Sequence, residues 1–131
     1  MMKRIIAVAG ILAALALTGC ASGTSAVQTV DPQAFLSTTA QQGVVVVDVR
    51  TPDEFAAGHL PNAVNINVED PAFASQIESL DKSATYAVYC RSGRRSAVAT
   101  DAMATAGFTS LVNLSGGLDD LAASGASVVS Q

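Results

Sequence analysis

A thiol, three guanidinium groups, two hydroxyls and a glycine fall within seven consecutive residues, Cys90-Arg91-Ser92-Gly93-Arg94-Arg95-Ser96. Free cysteine titrates near ~8.5, and a helix N-terminus or neighbouring cations lower that value. A loop that runs into a helix points backbone N–H groups inward, and the helix dipole adds partial positive charge. Gly93 permits the sharp backbone path that such a loop needs. The types and spacing therefore describe a cysteine thiolate, Cys90, in a ring of backbone N–H donors. A thiolate so placed can attack a sulfur–sulfur bond, a phosphorus centre or arsenic. The arginine side chains either select anionic donors or stay solvated. Ser96 either bonds the Cys90 sulfur or caps the helix.

Elements on both sides must position this loop. The apolar run Tyr86-Ala87-Val88-Tyr89 predicts a strand leading in, and Arg94 to Ala106 predicts a helix leading out, with Val98, Ala99, Ala102 and Met103 on its apolar faces. Further strands are expected at Thr29-Val30, Val44 to Val49, Ala63 to Val68 and Leu111 to Leu114. Val44 to Val49 is apolar on both faces, as in a covered parallel strand. Helices are expected after Asp31-Pro32, within the capping box Thr51-Pro52-Asp53-Glu54, after Asp70-Pro71, and over Leu118 to Ala123. Strands alternating with helices give an α/β fold: a small, mostly parallel sheet flanked by helices on both faces. Ligands of such sheets sit at the carboxyl ends of the strands, where Cys90 lies.

The chain has 131 residues, which suits one domain. Its start has the form of a signal: basic Met1-Met2-Lys3-Arg4, then the apolar run Ile5 to Leu17, then Leu17-Thr18-Gly19-Cys20. The last four residues resemble the bacterial lipobox, which implies lipidation of Cys20 and a location in the cell envelope, anchored outside the cytoplasm. Residues 1–19 are thus expected to be a lipoprotein signal peptide, 20–28 a flexible tether and 29–131 the folded domain. Loss of Lys3 and Arg4 makes the formal charge of −4 more negative by two, and gathers three of the five remaining basic residues in the loop. That balance argues against nucleic acid and for a small anion. With Cys20 lipidated, Cys90 has no intramolecular partner, as expected of a reactive thiol.

Four blocks in order resemble the rhodanese family of single-domain sulfurtransferases: Val47-Asp48-Val49-Arg50, Glu54 to Ile66, Cys90 to Ser96, and Leu114-Ser115-Gly116-Gly117-Leu118. Where the family usually has tryptophan and then proline near the end, this chain has Leu121 and Ser127. The resemblance implies a thiosulfate sulfurtransferase-like enzyme that moves sulfane sulfur from thiosulfate or a persulfide to cyanide or a thiol through a Cys90 persulfide, with no metal or organic cofactor. It implies a small anionic sulfur donor, held in a cradle formed by the N–H groups of Arg91, Ser92, Gly93, Arg94 and Arg95. The N-terminal lipid is expected to give the membrane contact, and the protein is expected to be a monomer. Asp48 and Arg50 brace loops in this family, and Arg50 could pair with Glu54. His59, the only histidine, is expected to brace a turn rather than act as a general base.

Two alternatives differ in class. A phosphatase or arsenate reductase on the same fold needs arginine six residues after the cysteine, where Ser96 stands and Arg95 falls one short. A non-enzymatic persulfide carrier or redox relay would use the same residues as the enzyme, and turnover with thiosulfate and cyanide separates them. For the lipid anchor, wild type should partition with membranes and Cys20→Ser with the soluble fraction. Identical partitioning of both into the soluble fraction would remove the anchor.

Overall fold

The computed structural model describes residues 25–131, so the signal segment, Cys20 and its lipidation lie outside the described residues. Within them the chain forms β1 (Val27–Val30), α1 (Pro32–Thr39), β2 (Val45–Asp48), α2 (Pro52–Ala57), β3 (Val64–Asn65), α3 (Phe73–Glu78), β4 (Thr85–Tyr89), α4 (Arg94–Thr105), β5 (Ser110–Leu114) and α5 (Leu118–Ala123). The five strands make one sheet in the order β1-β5-β4-β2-β3, and every paired neighbour is parallel.

The apolar runs are continuous because both faces of the sheet are covered. On one face Val47, Val49, Tyr86, Val88, Cys90 and Leu111 pack with Phe73 and Ile77 of α3 and Ala99 and Met103 of α4. On the other Val46, Ala87, Tyr89, Val112 and Leu114 pack with Phe35 of α1 and Leu118 and Leu121 of α5. The alternation along β4 aims Cys90 at α4, the helix it precedes. Leu121, in place of the family's tryptophan, is fully buried and fills its site with aliphatic volume.

Several local expectations shift. β1 begins at Val27 and pairs with β5 from Leu111 onward, so the domain takes in Val27 and Gln28 from the expected tether. β3 is only two residues long, and Val64 is 48% exposed instead of facing the core. There the Asn65 side chain donates to the carbonyls of Asp48 and Arg50 at 3.0 and 2.9 Å, and beyond it Ile66 N–H and Val68 N–H still reach the carbonyls of Asp48 and Val49 at 2.9 and 3.1 Å. α3 starts at Phe73, because the Asp70 carboxylate accepts from Ala72 N–H and holds the preceding residues in a turn. Of the four apolar residues expected to pack from α4, Ala99 and Met103 face the core. Val98 is 61% exposed and Ala102 is also outside, since one helix face is all that a sheet can cover.

Beside the loop, at the end of β2, lies a buried ion pair. Arg50 forks onto Asp48, Nε at 2.9 Å from Oδ1 and Nη2 at 2.6 Å from Oδ2, and donates also to the Gly58 carbonyl at 2.6 Å. Arg50 therefore does not pair with Glu54: the carboxylate two residues back on its own strand is within bidentate reach. Removing one partner of such a pair strands a buried charge. Asp48→Ala is expected to lower the unfolding free energy in urea by about 3–5 kcal/mol.

Candidate active site

β4 ends at Tyr89, and Cys90 is completely buried beneath the loop that follows. Gly93 takes the left-handed conformation, φ 93°, which turns the chain into α4. That turn brings Gly93 N–H to 3.0 Å from Cys90 Sγ. Ser96 takes the first of its two readings: Oγ lies 3.5 Å from Sγ, and it donates to the Gly93 carbonyl at 3.2 Å rather than capping the helix, whose start has no side-chain cap. On ionisation of Cys90 the same hydroxyl can turn its proton toward sulfur. Burial pushes the thiol pKa up. The Ser96 hydroxyl and the N–H groups of Ser96, Ser92 and Gly93 more than offset this, and the thiol titrates below its ordinary value.

The loop leans on the turn after β5. A Cβ on Gly117 would lie 1.5 Å from the Arg91 carbonyl oxygen, and one on Gly93 would lie 3.2 Å from the backbone of Gly116. Leu118 N–H donates to the Cys90 carbonyl at 3.1 Å, and Gly117 N–H is held by Asp120 Oδ2 at 2.8 Å. Two backbones are in direct contact here because two side chains are missing. The sequence marks Gly116-Gly117 as a turn but gives no sign that it seats the loop.

The arginines separate. Arg91 and Arg94 are exposed, and among the described residues neither forms an ion pair. Arg95 is half-buried and forks onto Glu54 of α2, Nη1 to Oε1 at 2.7 Å and Nη2 to Oε2 at 2.9 Å. The Glu54 carboxylate also accepts from the Thr51 hydroxyl at 3.1 Å. It thus leaves the reciprocal half of the expected capping box unmade and turns to the loop. Spacing did not reveal this contact, since 41 residues separate the partners.

A groove of about 350 Å³ beside the loop is lined by Val68, Glu69, Arg94, Arg95 and Val98. A larger one of about 520 Å³, bounded by Leu36, Val46, Leu60 and Ala126 among others, includes no loop residue. His59 sits apart from the sulfur's donors. Its Nδ1 lies 2.7 Å from the Phe55 carbonyl, its ring stacks on Phe55 at 3.8 Å between centroids, and its backbone bridges to Val129. Asp48 and Arg50 bind each other and the backbone rather than the loop.

Residues 31–124 match the family model for the rhodanese-like domain. The chain belongs to the rhodanese-like family. Among its relatives, thiosulfate sulfurtransferase PspE of Escherichia coli is 34% identical over 76 residues, covering 58% of this chain and 72% of that protein. Senescence-associated protein DIN1 of Raphanus sativus is 39% identical over 88 residues, 60% of this chain and 48% of that protein, so the chain spans about half its length. In three dimensions the crystal structure of a rhodanese-related protein from Thermoplasma volcanium superposes with a TM-score of 0.70 at 26% identity, covering 79% of this chain and 99% of the other.

The glycine seat of this rhodanese-like loop is testable by contrast. Gly117 is extended, φ −141°, whereas Gly125 has positive φ, +99°, and a Cβ there would meet nothing within 4 Å. Both Gly117→Ala and Gly125→Ala should lower the melting temperature. Gly117→Ala should cost more by about 1–3 kcal/mol, because a collision with backbone outweighs the strain of a left-handed alanine at Gly125. Equal losses would mean that the contact is not a constraint.

Proposed function

We propose that this protein is a sulfurtransferase that carries sulfane sulfur on Cys90, moving it from thiosulfate or a persulfide to a thiophilic acceptor such as cyanide or a thiol. The observation that carries this reading is the donor ring itself: Gly93 N–H lies 3.0 Å from a buried sulfur at the mouth of a helix. Membership of the rhodanese-like family and the similarity to PspE support it.

The Cys90 thiolate attacks the outer sulfur of thiosulfate. The new S–S bond forms as the old one breaks, and sulfite leaves with its electron pair. The persulfide anion lies among the same N–H donors, which favour negative charge on the terminal sulfur. Cyanide then attacks that sulfur, thiocyanate departs, and the thiolate is regenerated. No proton changes hands once Cys90 is ionised, so a general base is not required and His59 can serve the turn. Arg91 and Arg94, exposed at the loop's outer rim and in no ion pair among the described residues, raise the local concentration of an anionic donor in an otherwise acidic domain.

A phosphatase reading is disfavoured by the same geometry. Arg95, the arginine nearest the required position, has both terminal nitrogens committed to Glu54. The protein is further proposed to act as a monomer at the cell envelope, tethered by lipid on Cys20.

Treatment with thiosulfate should add one sulfur atom by intact mass, located on the peptide containing Cys90, and cyanide should remove it as thiocyanate. Kinetics should be ping-pong. Cys90→Ser should keep the fold and lose both the mass gain and turnover, while aryl phosphates should be negligible substrates for the wild type. Thiocyanate formation by Cys90→Ser at an appreciable fraction of the wild-type rate would overturn the assignment.

A further inference from the structure

We infer that Glu54 is a positioning residue for the nucleophile: through its bidentate pair with Arg95 it locks the first turn of α4, and with it the donor ring around Cys90, to the start of α2.

The geometry supplies each link. Arg95 is the second residue of α4 and lies between Gly93, whose N–H meets the sulfur, and Ser96, whose hydroxyl does. Its guanidinium is gripped at both nitrogens, and bidentate pairing fixes orientation as well as distance. Glu54 is itself fixed: its N–H donates to Thr51 Oγ1 at 3.4 Å, and the Thr51 hydroxyl donates back to its carboxylate. Thr51 follows Arg50, which is anchored to Asp48 at the end of β2. A rigid path thus runs from the sheet through α2 to the loop on the neighbouring strand. The helix start has no side-chain cap of its own, since Gly93 offers none. The pair supplies the anchor that a capping side chain would otherwise give.

The consequence for chemistry follows from the balance at Cys90. Burial disfavours the thiolate, and only donors held in place offset it. A first turn free to shift leaves the burial cost uncompensated, so the thiol titrates higher. The other charges about the loop do not substitute for the pair. Arg91 and Arg94 are exposed, Glu69 lines the same groove as Arg95 without a hydrogen bond to it, and Asp48 and Arg50 neutralise each other. Arg95, foremost, with the Thr51 hydroxyl holds the Glu54 carboxyl down to about 2 from an ordinary 4.5. A depressed carboxyl contributes above its unfolded value and loses that contribution as pH falls toward the folded one. The pair is therefore closed wherever Cys90 titrates.

The test is the pH dependence of Cys90 alkylation by iodoacetamide, which reads the thiolate whether or not the protein transfers sulfur. The proposal rests on the sulfurtransferase reading only for its meaning in catalysis. Glu54→Gln and Arg95→Gln should each raise the titration midpoint by about half a pH unit or more, with alkylation near neutrality roughly threefold slower. The double variant should move no further than the larger single, since both remove one contact. Arg95→Lys, which keeps the charge and loses the fork, should fall between. Asp53→Asn removes a carboxylate from the same turn of α2 and should leave the midpoint unchanged. A wild-type midpoint in Glu54→Gln, an equal shift in Asp53→Asn, or additive shifts in the double variant would each overturn the proposal. A midpoint that shifts as expected in a protein that gains no sulfur from thiosulfate would uphold the clamp and reject the sulfur-transfer reading.

Discussion

Placing a sulfur anion beneath a protein surface is unfavourable unless fixed donors replace the water it gives up. Cys90 has no exposed surface, and the Gly93 N–H is the one donor drawn to 3.0 Å. Hydrogen bonds to a charged acceptor are stronger than neutral ones, but only at defined distance and direction. The rest of the site can be understood as the apparatus that keeps a few backbone N–H groups from moving. A parallel sheet ending at this loop supplies the position, and the left-handed Gly93 supplies the turn.

Three supports converge on that loop from elements far apart in the chain. From β5 and α5 comes a backbone seat, Gly116 and Gly117, whose value lies in the absence of side chains. From α2 comes the Glu54–Arg95 fork. From within α4 comes Ser96, bonded to both the Gly93 carbonyl and the sulfur. Beside the loop, the Asp48–Arg50 pair, His59 on Phe55, and Tyr89, whose hydroxyl accepts from Leu60 N–H at 3.0 Å, hold the turn after α2 against the sheet. These buried polar groups satisfy one another and the backbone, and none points its chemistry at the sulfur.

The division of labour among the arginines follows from burial. An exposed guanidinium keeps its water and acts on a ligand mainly through its charge. A half-buried one needs a carboxylate, and Arg95 has found it. Two of the three loop arginines thus stay in solvent, and the third belongs to the framework.

Much of this was legible in the residues alone. The α/β order, the cysteine at a strand end, the glycine turn and the helix after it are local facts, written in patterns of a few residues: the valine run of β2, Asp31-Pro32, Gly93 between Cys90 and α4. Backbone donors around Cys90 follow from that local pattern, because a loop entering a helix can hardly point its N–H groups elsewhere. What the sequence left open was partnership between distant residues. Arg50 had carboxylates at both Asp48 and Glu54 within reach along the chain, and Glu54 fitted a capping box. Only the tertiary placement of α2 within side-chain reach of the start of α4 decided that Glu54 would serve Arg95, 41 residues on. Likewise Gly117 reads as a turn residue until β5 is laid beside β4 and its missing Cβ proves to be the space that the Arg91 carbonyl occupies. Val98 and Ala102 repeat at helical spacing like Ala99 and Met103, and only the sheet's position determined which pair it would cover. Local conformation is set by each residue's own sterics and its near neighbours, whereas ion pairs and backbone seats depend on which surfaces the core brings together.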